Sequence, residues 1–363
     1  MKIAFFGSSL VSSYWNGAAT YYRGLLKELA ALGHEITFYE PDAFERQQHR
    51  DMPDPDWARV VVYPGTGEGW KRPLEHAARD ADVLVKASGV GVFDRELEDA
   101  VPQLASARTR CIYWDVDAPA TLDAITHDPK HHLRTAIPQY DIVLTYGGGQ
   151  PVVSAYEKAG ARACVPIYNA LDPATHHPVP ADPAYACDLG FLGNRLPDRE
   201  ARVEEFFLRA AALAPDRQFL LGGSGWDDKP MPPNVRRIGH VGTNAHNAFF
   251  CSGVATLNIN RESMARYGFS PPTRVFEAAG AGACLITDRW IGIDLFLEPR
   301  REVLVASDGA DVAEILHSLT PKRARAIAEK ARNHILAAHT YAHRAREVDA
   351  LLKGFSIRKE AAE

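Results

Sequence analysis

At 363 residues the chain is too long for one ordinary core, and at about 150 residues per domain it predicts two. Hydrophobic residues at 46% and charged residues at 24% exclude a disordered chain or a coiled coil. A net charge of -5 with pI near 6.3 provides no field that would gather nucleic acid or an anionic membrane.

The N-terminal "KIAFFG" is an apolar run of about five residues, a buried strand and not a signal peptide, and no run reaches the roughly 18 residues of a membrane span. A Gly- and Ser-rich loop follows, then "ATYYRGLLKELAALG", where Leu25, Leu26, Leu29 and Leu32 fall at helical spacing and Gly33 is a natural stop before "HEITFYE". This is a βαβ unit. The alternation continues through "RVVVYP", "LEHAARD", "ADVLVKAS", "ELEDAVPQLASA", "RCIYWDV", "YDIVLTY", "PVVSAYEKAG" and "ARACVPI". Apolar strands separated by helices predict a parallel sheet covered on both faces.

The stretch "YNALDPATHHPVPADPAYA" is rich in Pro, Asp and His and reads as a linker. After it the alternation restarts with "CDLGFLG", "REARVEEFFLRAAAL", "RQFLLGG", "VRRIGHV", "NAHNAFFCS", "VATLNIN", a helix from about Thr273, "ACLITD", "EVLVAS" and "DVAEILHSL". A charged helical tail closes the chain, ending in the biased hexamer "RKEAAE". The expected fold is α/β: two doubly wound parallel-sheet domains in series, facing one another across a cleft. The boundaries are 1–170, a linker at 171–186, and 187–339, followed by the tail.

Ligands of open parallel sheets bind outside the carboxyl ends of the strands, so the residues just after each strand carry the functional reading. The first such loop, "GSSLVSSYWNGAAT", has glycines only at Gly7 and Gly17, which is not the dinucleotide fingerprint; it is either an anion- or sugar-binding turn or an ordinary βα connection. "FLGNRLPDRE" places Gly193, Asn194, Arg195 and Arg199 between a strand and a helix, a pattern suited to a diphosphate, or to surface pairing of the arginines with Asp198 and Glu200. In "SPPTRVFEAAGAGACLITD", Thr273 is a plausible cap and Arg274 and Glu277 lie on the first turn. Alone, that pair reads as a local ion pair; at a strand-end helix start, Glu277 can accept from both hydroxyls of a ribose.

"YWDVDAP" sets Asp115 and Asp117 after a strand. They are candidates for orienting an acceptor hydroxyl or for a general base, and equally for capping the next helix; a D-x-D metal site is the rival reading. "YGGGQP" offers Tyr146, Gly147, Gly148 and Gly149 as a cleft turn with exposed amides. The paired histidines His131 with His132 and His176 with His177 read as solvated surface. Cys111, Cys164, Cys187, Cys251 and Cys284 are odd in number and widely spaced, the reduced small hydrophobes of a cytoplasmic protein.

"DLGFLGNRLPDRE", "LNINRES" and "PPTRVFEAAGAGACLITD" followed by "EVLVASDGADVAEIL" resemble the nucleotide-sugar domain of group 1 glycosyltransferases. The nearest branch is the one resembling the spore maturation protein CgeB, which "YWDVDAPATL" and "YDIVLTYGGGQPVVSAYEKAGARACVPIYNALDP" also resemble. The resemblance implies a GT-B fold, with a C-terminal helix at about 340–356 crossing back onto the first domain, and a nucleotide diphosphate sugar donor, UDP-, GDP- or dTDP-linked. It implies no metal and no cofactor beyond that co-substrate, and transfer to a small-molecule, glycan or protein acceptor with retention expected. It further implies Glu277 on the donor ribose, Arg199 and then Arg195 on the diphosphate, and Gly239, His240 and Val241 around the base. Many relatives carry a second Glu eight residues before the ribose Glu, where this chain has Phe269. An epimerase or hydrolase of nucleotide sugars on the same fold, and a non-catalytic binding protein, are the alternatives. If the reaction inverts, Asp117 or Asp115 is the candidate base.

Overall fold

The computed structural model describes residues 1–106 and 108–360, so the last three residues of the "RKEAAE" tail lie outside it. The chain divides into two compact units: Met1–Asn169 together with the helix Tyr341–Glu360, and Ala170–Thr340.

In the first unit the apolar runs form β1 (Lys2–Phe6), β2 (Glu35–Asp42), β3 (Ala58–Pro64), β4 (Val83–Ala87), β5 (Arg110–Asp115), β6 (Ile142–Thr145) and β7 (Cys164–Pro166). They pair in parallel in the order β3-β2-β1-β4-β5-β6-β7. The strands read as continuous apolar runs because helices cover both faces. Aromatic rings fill the core around β1: Phe5 stacks on Phe38 at 5.4 Å and meets Tyr22 and Trp114 edge-on or tilted.

The helix Ala19–Ala31 packs against Tyr341–Glu360 at Gly24, where a Cβ would stand 2.1 Å from the Tyr341 ring. Gly24→Ala gains helix propensity but must displace that buried ring. We expect a net loss of about 1–2 kcal/mol in a urea melt, because overpacking outweighs the propensity term of about 1 kcal/mol.

In the second unit β8 (Cys187–Leu192), β9 (Phe219–Gly222), β10 (Val235–Arg237), β11 (Gly253–Asn258), β12 (Leu285–Asp288) and β13 (Leu304–Ala306) form a parallel sheet in the order β10-β9-β8-β11-β12-β13. The helix after β8 runs as Glu200–Val203, a π-helical turn at Glu204–Leu208, and Arg209–Leu213. Residues 171–186, expected as a linker, pack into this unit. Leu171 bridges Thr340, its side chain lies over Gly280, and Asn247 accepts from the His177 amide at 3.3 Å. His176, expected on the surface, is 4% exposed. The loop "RESMARYGFSPP" contains a short helix, Glu262–Tyr267, that its sequence did not announce.

Candidate functional site

The strand order of the second sheet reverses between β8 and β11, the place where open α/β sheets take their ligands. At the end of β8 the Gly193 amide donates to the Gly222 carbonyl at 2.8 Å, and the Gly193 carbonyl accepts from Trp226 Nε1 at 2.8 Å. Gly193 also clears space: a Cβ there would stand 3.1 Å from the Phe191 ring and 3.3 Å from Arg199 Nη2. The face of Phe191 holds two guanidiniums, Arg199 at 6.0 Å and Arg274 at 5.8 Å from the ring centroid.

Neither arginine has a carboxylate partner among the described residues. Arg199 donates to the Asn194 carbonyl at 2.8 Å, and the Nε atoms of both are buried without a hydrogen bond. Burial, and then the neighbouring Arg199, push the Arg274 pKa down to about 10, with the Glu277 charge opposing. Burial lowers Arg199 as well. Two desolvated like charges around a neutral ring form a site short of an anion.

Glu277 lies three residues beyond Arg274 on the same helix. The helix Thr273–Ala281 begins after "SPP", with Pro272 rather than Thr273 at the cap position and no side-chain capping bond. Thr273 is therefore the first helical residue, because Pro272 has extended φ/ψ and fixes the entry. Glu277 is half-buried and makes no hydrogen bond or ion pair with another described residue, so the i,i+3 ion pair read from the sequence does not form. The guanidinium of Arg274 goes to Phe191 instead. His246, which drew no notice in the sequence, is close enough for Glu277 to raise its pKa, although burial lowers it more. Its Nδ1 is buried without a partner. His246 lies against the Val241 backbone, which links the Gly239–Val241 loop to the Glu277 helix. Val241 is buried, His240 is exposed, and Gly239, at φ +67°, accepts from the Gly223 amide at 2.5 Å.

Arg195 is differently placed. It pairs with Glu200 at 2.7 Å and Asp228 at 2.7 Å and donates to the Gly225 carbonyl, so its guanidinium is committed to protein carboxylates. Asn194 is a loop brace, its Oδ1 accepting from the Ser224 amide at 2.9 Å. Phe269 has φ +47°, donates its amide to the Ile291 carbonyl at 2.6 Å, and sets its ring on Gly292. At that place the chain has an apolar corner.

In the first unit, Asp115 is fully buried. It accepts from Ser88 Oγ at 2.7 Å, the Asp117 amide at 2.9 Å, Thr121 Oγ1 at 3.1 Å and the Tyr156 hydroxyl. With four donors and no exposed surface, it has the arrangement of a structural carboxylate tying β5 to its neighbours. Asp117 is half-buried at the cap position of the helix Ala118–His127, without a side-chain capping bond. Gly148 at φ +94° and Gly149 at φ +51° open the helix Gly149–Lys158; Gly147 is buried, and Tyr146 tilts against Tyr21 at 5.2 Å. Gly17 faces open space. His132 bonds the buried Glu98 at 2.6 Å, so it is not merely solvated.

Residues 199–350 match a family described as Glycosyl transferase-like. Among solved structures, a sucrose-phosphate synthase from Thermosynechococcus elongatus superposes with a TM-score of 0.71 at 14% identity, over 99% of this chain and 100% of that one. HepE of Anabaena in complex with UDP-glucose superposes with a TM-score of 0.64 at 14% identity, over 98% and 100%. AviGT4, a glycosyltransferase involved in avilamycin A biosynthesis, superposes with a TM-score of 0.61 at 17% identity, over 97% of each chain. No curated protein matches the sequence. The two parallel-sheet units and these likenesses establish a GT-B fold.

Proposed function

We propose that this chain is a glycosyltransferase of the branch resembling CgeB, moving a sugar from a nucleoside diphosphate donor bound by the second unit to an acceptor held by the first. The observation that carries the reading is the pairing of an unpartnered carboxylate, Glu277, with two guanidiniums that lack any carboxylate, Arg199 and Arg274, at the β8–β11 switch point. Support comes also from the Glycosyl transferase-like match over 199–350 and from the UDP-glucose in the HepE structure.

In this mechanism the donor ribose hydroxyls donate to Glu277, and the Gly239–Val241 loop lies along the base. Arg199 and Arg274 donate to the diphosphate. Negative charge grows on the leaving phosphate as the bond from the anomeric carbon to its oxygen breaks, so donors aimed there act where the transition state needs them. The two arginines supply the opposing positive charge without a metal. The acceptor oxygen forms the new bond to the anomeric carbon, and its proton passes to the leaving diphosphate, a route that retains configuration. Should the enzyme invert, Asp117 is the base candidate, since the Asp115 oxygens are all engaged. The five free cysteines fit a reducing cytoplasm. Among the described residues no helix is long and apolar enough to cross a membrane.

A thermal-shift panel of UDP, GDP, dTDP, CDP and ADP tests the donor site. One of them at about 100 times its dissociation constant should stabilise the protein by about 2.7 kcal/mol. If none shifts the melt, the donor site is wrong; donor breakdown without any acceptor would instead mark a hydrolase.

A further inference from the structure

A guanidinium held in place by a carboxylate spends its N–H groups on that carboxylate. Arg195 is such a case: Glu200, Asp228 and the Gly225 carbonyl take its donors. Arg199 and Arg274 are held in another way. Arg199 gives one donor to the Asn194 carbonyl, and Arg274 makes no hydrogen bond to another described residue, yet burial desolvates both. What they share is the ring of Phe191, whose centroid lies 6.0 Å from one guanidinium carbon and 5.8 Å from the other. An aromatic ring attracts a cation without engaging its N–H donors as a carboxylate does, so those donors stay available to a ligand.

The ring is itself fixed. Phe191 is the penultimate residue of β8 and fully buried, with Leu221 on β9 and Leu257 on β11 as its neighbours across the sheet. Phe207, in the π-helical turn Glu204–Leu208, packs against it at 5.8 Å and 46°. Single π-helical turns inside α-helices occur frequently at functional sites. Gly193, two residues beyond the ring, leaves room for both Phe191 and Arg199 Nη2.

From this arrangement we infer that Phe191 is a positioning residue for a diphosphate: its ring holds Arg199 and Arg274 together, with donors free, for a ligand that carries more than one negative charge. The inference rests on the donor reading of the second unit and adds to it a residue that acts through the two arginines. Arg199 is close enough to help lower the Arg274 pKa, so the two cations repel. The π face opposes that repulsion without neutralising either charge. A ligand with a single phosphate can answer one guanidinium, whereas a diphosphate can answer both.

The test replaces Phe191 with mono-, di- and trifluorophenylalanine, which keep the shape of the ring while draining its π face, alongside Phe191→Tyr and Phe191→Leu. Inorganic pyrophosphate and inorganic phosphate are the probes, titrated by calorimetry, and urea melts establish that each variant is folded. Pyrophosphate should bind the unaltered protein at least about 10-fold more tightly than phosphate, and should weaken stepwise with fluorination by about 10-fold in all. Phe191→Tyr should keep the affinity and Phe191→Leu should lose it to a similar extent. A ring that served packing alone would leave affinity flat across the fluorinated series. That flat series, unchanged binding in Phe191→Leu, equal affinity for phosphate and pyrophosphate, or no binding of pyrophosphate overturns the inference. The five nucleoside diphosphates separate it from the transfer reading. A nucleotide shift that ignores fluorination leaves the donor site standing and removes the role of Phe191. Ring-dependent pyrophosphate binding in a protein that no nucleotide stabilises retains that role and removes the transfer reading.

Discussion

Glu277→Gln should weaken the nucleoside diphosphate that stabilises the native protein by about 30- to 150-fold, or about 2–3 kcal/mol, and lower the melting temperature of the unliganded protein by no more than about 2 °C. The magnitude follows from what glutamine keeps. A carboxylate accepts from both ribose hydroxyls through charged oxygens, whereas the amide retains one acceptor and turns an NH₂ toward the second hydroxyl. The small stability cost follows from the structure, where Glu277 has no hydrogen bond or ion pair to lose, only the attraction of its charge for Arg274. Titration calorimetry with the same nucleotide on both proteins decides it. Equal affinity removes Glu277 from the ribose, and a melting temperature lowered by much more than that assigns it a structural role instead.

That Glu277 lies on a helix following a parallel strand was legible in the sequence, although a short helix, Glu262–Tyr267, intervenes between that strand and the helix Thr273–Ala281. The sheets were legible for a related reason: strands covered on both faces must be largely apolar, and "KIAFF", "VLVKA" and "LITD" are, apart from Lys2 at a strand start and the ion-paired Lys86 and Asp288. Lateral choices were not. Helical spacing alone pairs Arg274 with Glu277, and only the position of Phe191, some eighty residues earlier in the chain, shows where the guanidinium goes. Arg195 and Arg199 look alike in "GNRLPDRE", yet Asp228 and Glu200 take one and leave the other. Asp115 and Asp117 are two apart, but β5 ends at the first, so one is drawn into the sheet and the other heads the next helix.

The second large effect should come from Arg274→Met, and its two halves point in opposite directions. Methionine keeps the packing against Phe191 while removing a desolvated positive charge that Arg199 repels. The unliganded protein should gain about 1–2 kcal/mol, a rise of roughly 2–4 °C in the melt. The sign of the linkage agrees. A basic group whose pKa is lowered on folding opposes the folded state wherever it is charged in both states. For Arg274 that penalty is full below pH of about 10 and fades as pH rises toward the ordinary arginine value. The gain should therefore be the same at pH 6 and pH 8. Against it, the nucleoside diphosphate should bind at least about 100-fold more weakly, since a partly desolvated guanidinium to phosphate bond is charge-assisted on both sides. The corresponding nucleoside without phosphates should bind both proteins alike. A variant that is less stable in the absence of ligand would make Arg274 a structural residue. One that lost nucleoside and diphosphate binding equally would place the defect in the ribose pocket. A stabilised protein that has lost only its grip on phosphate is the outcome expected of an arginine kept unpaired for a substrate.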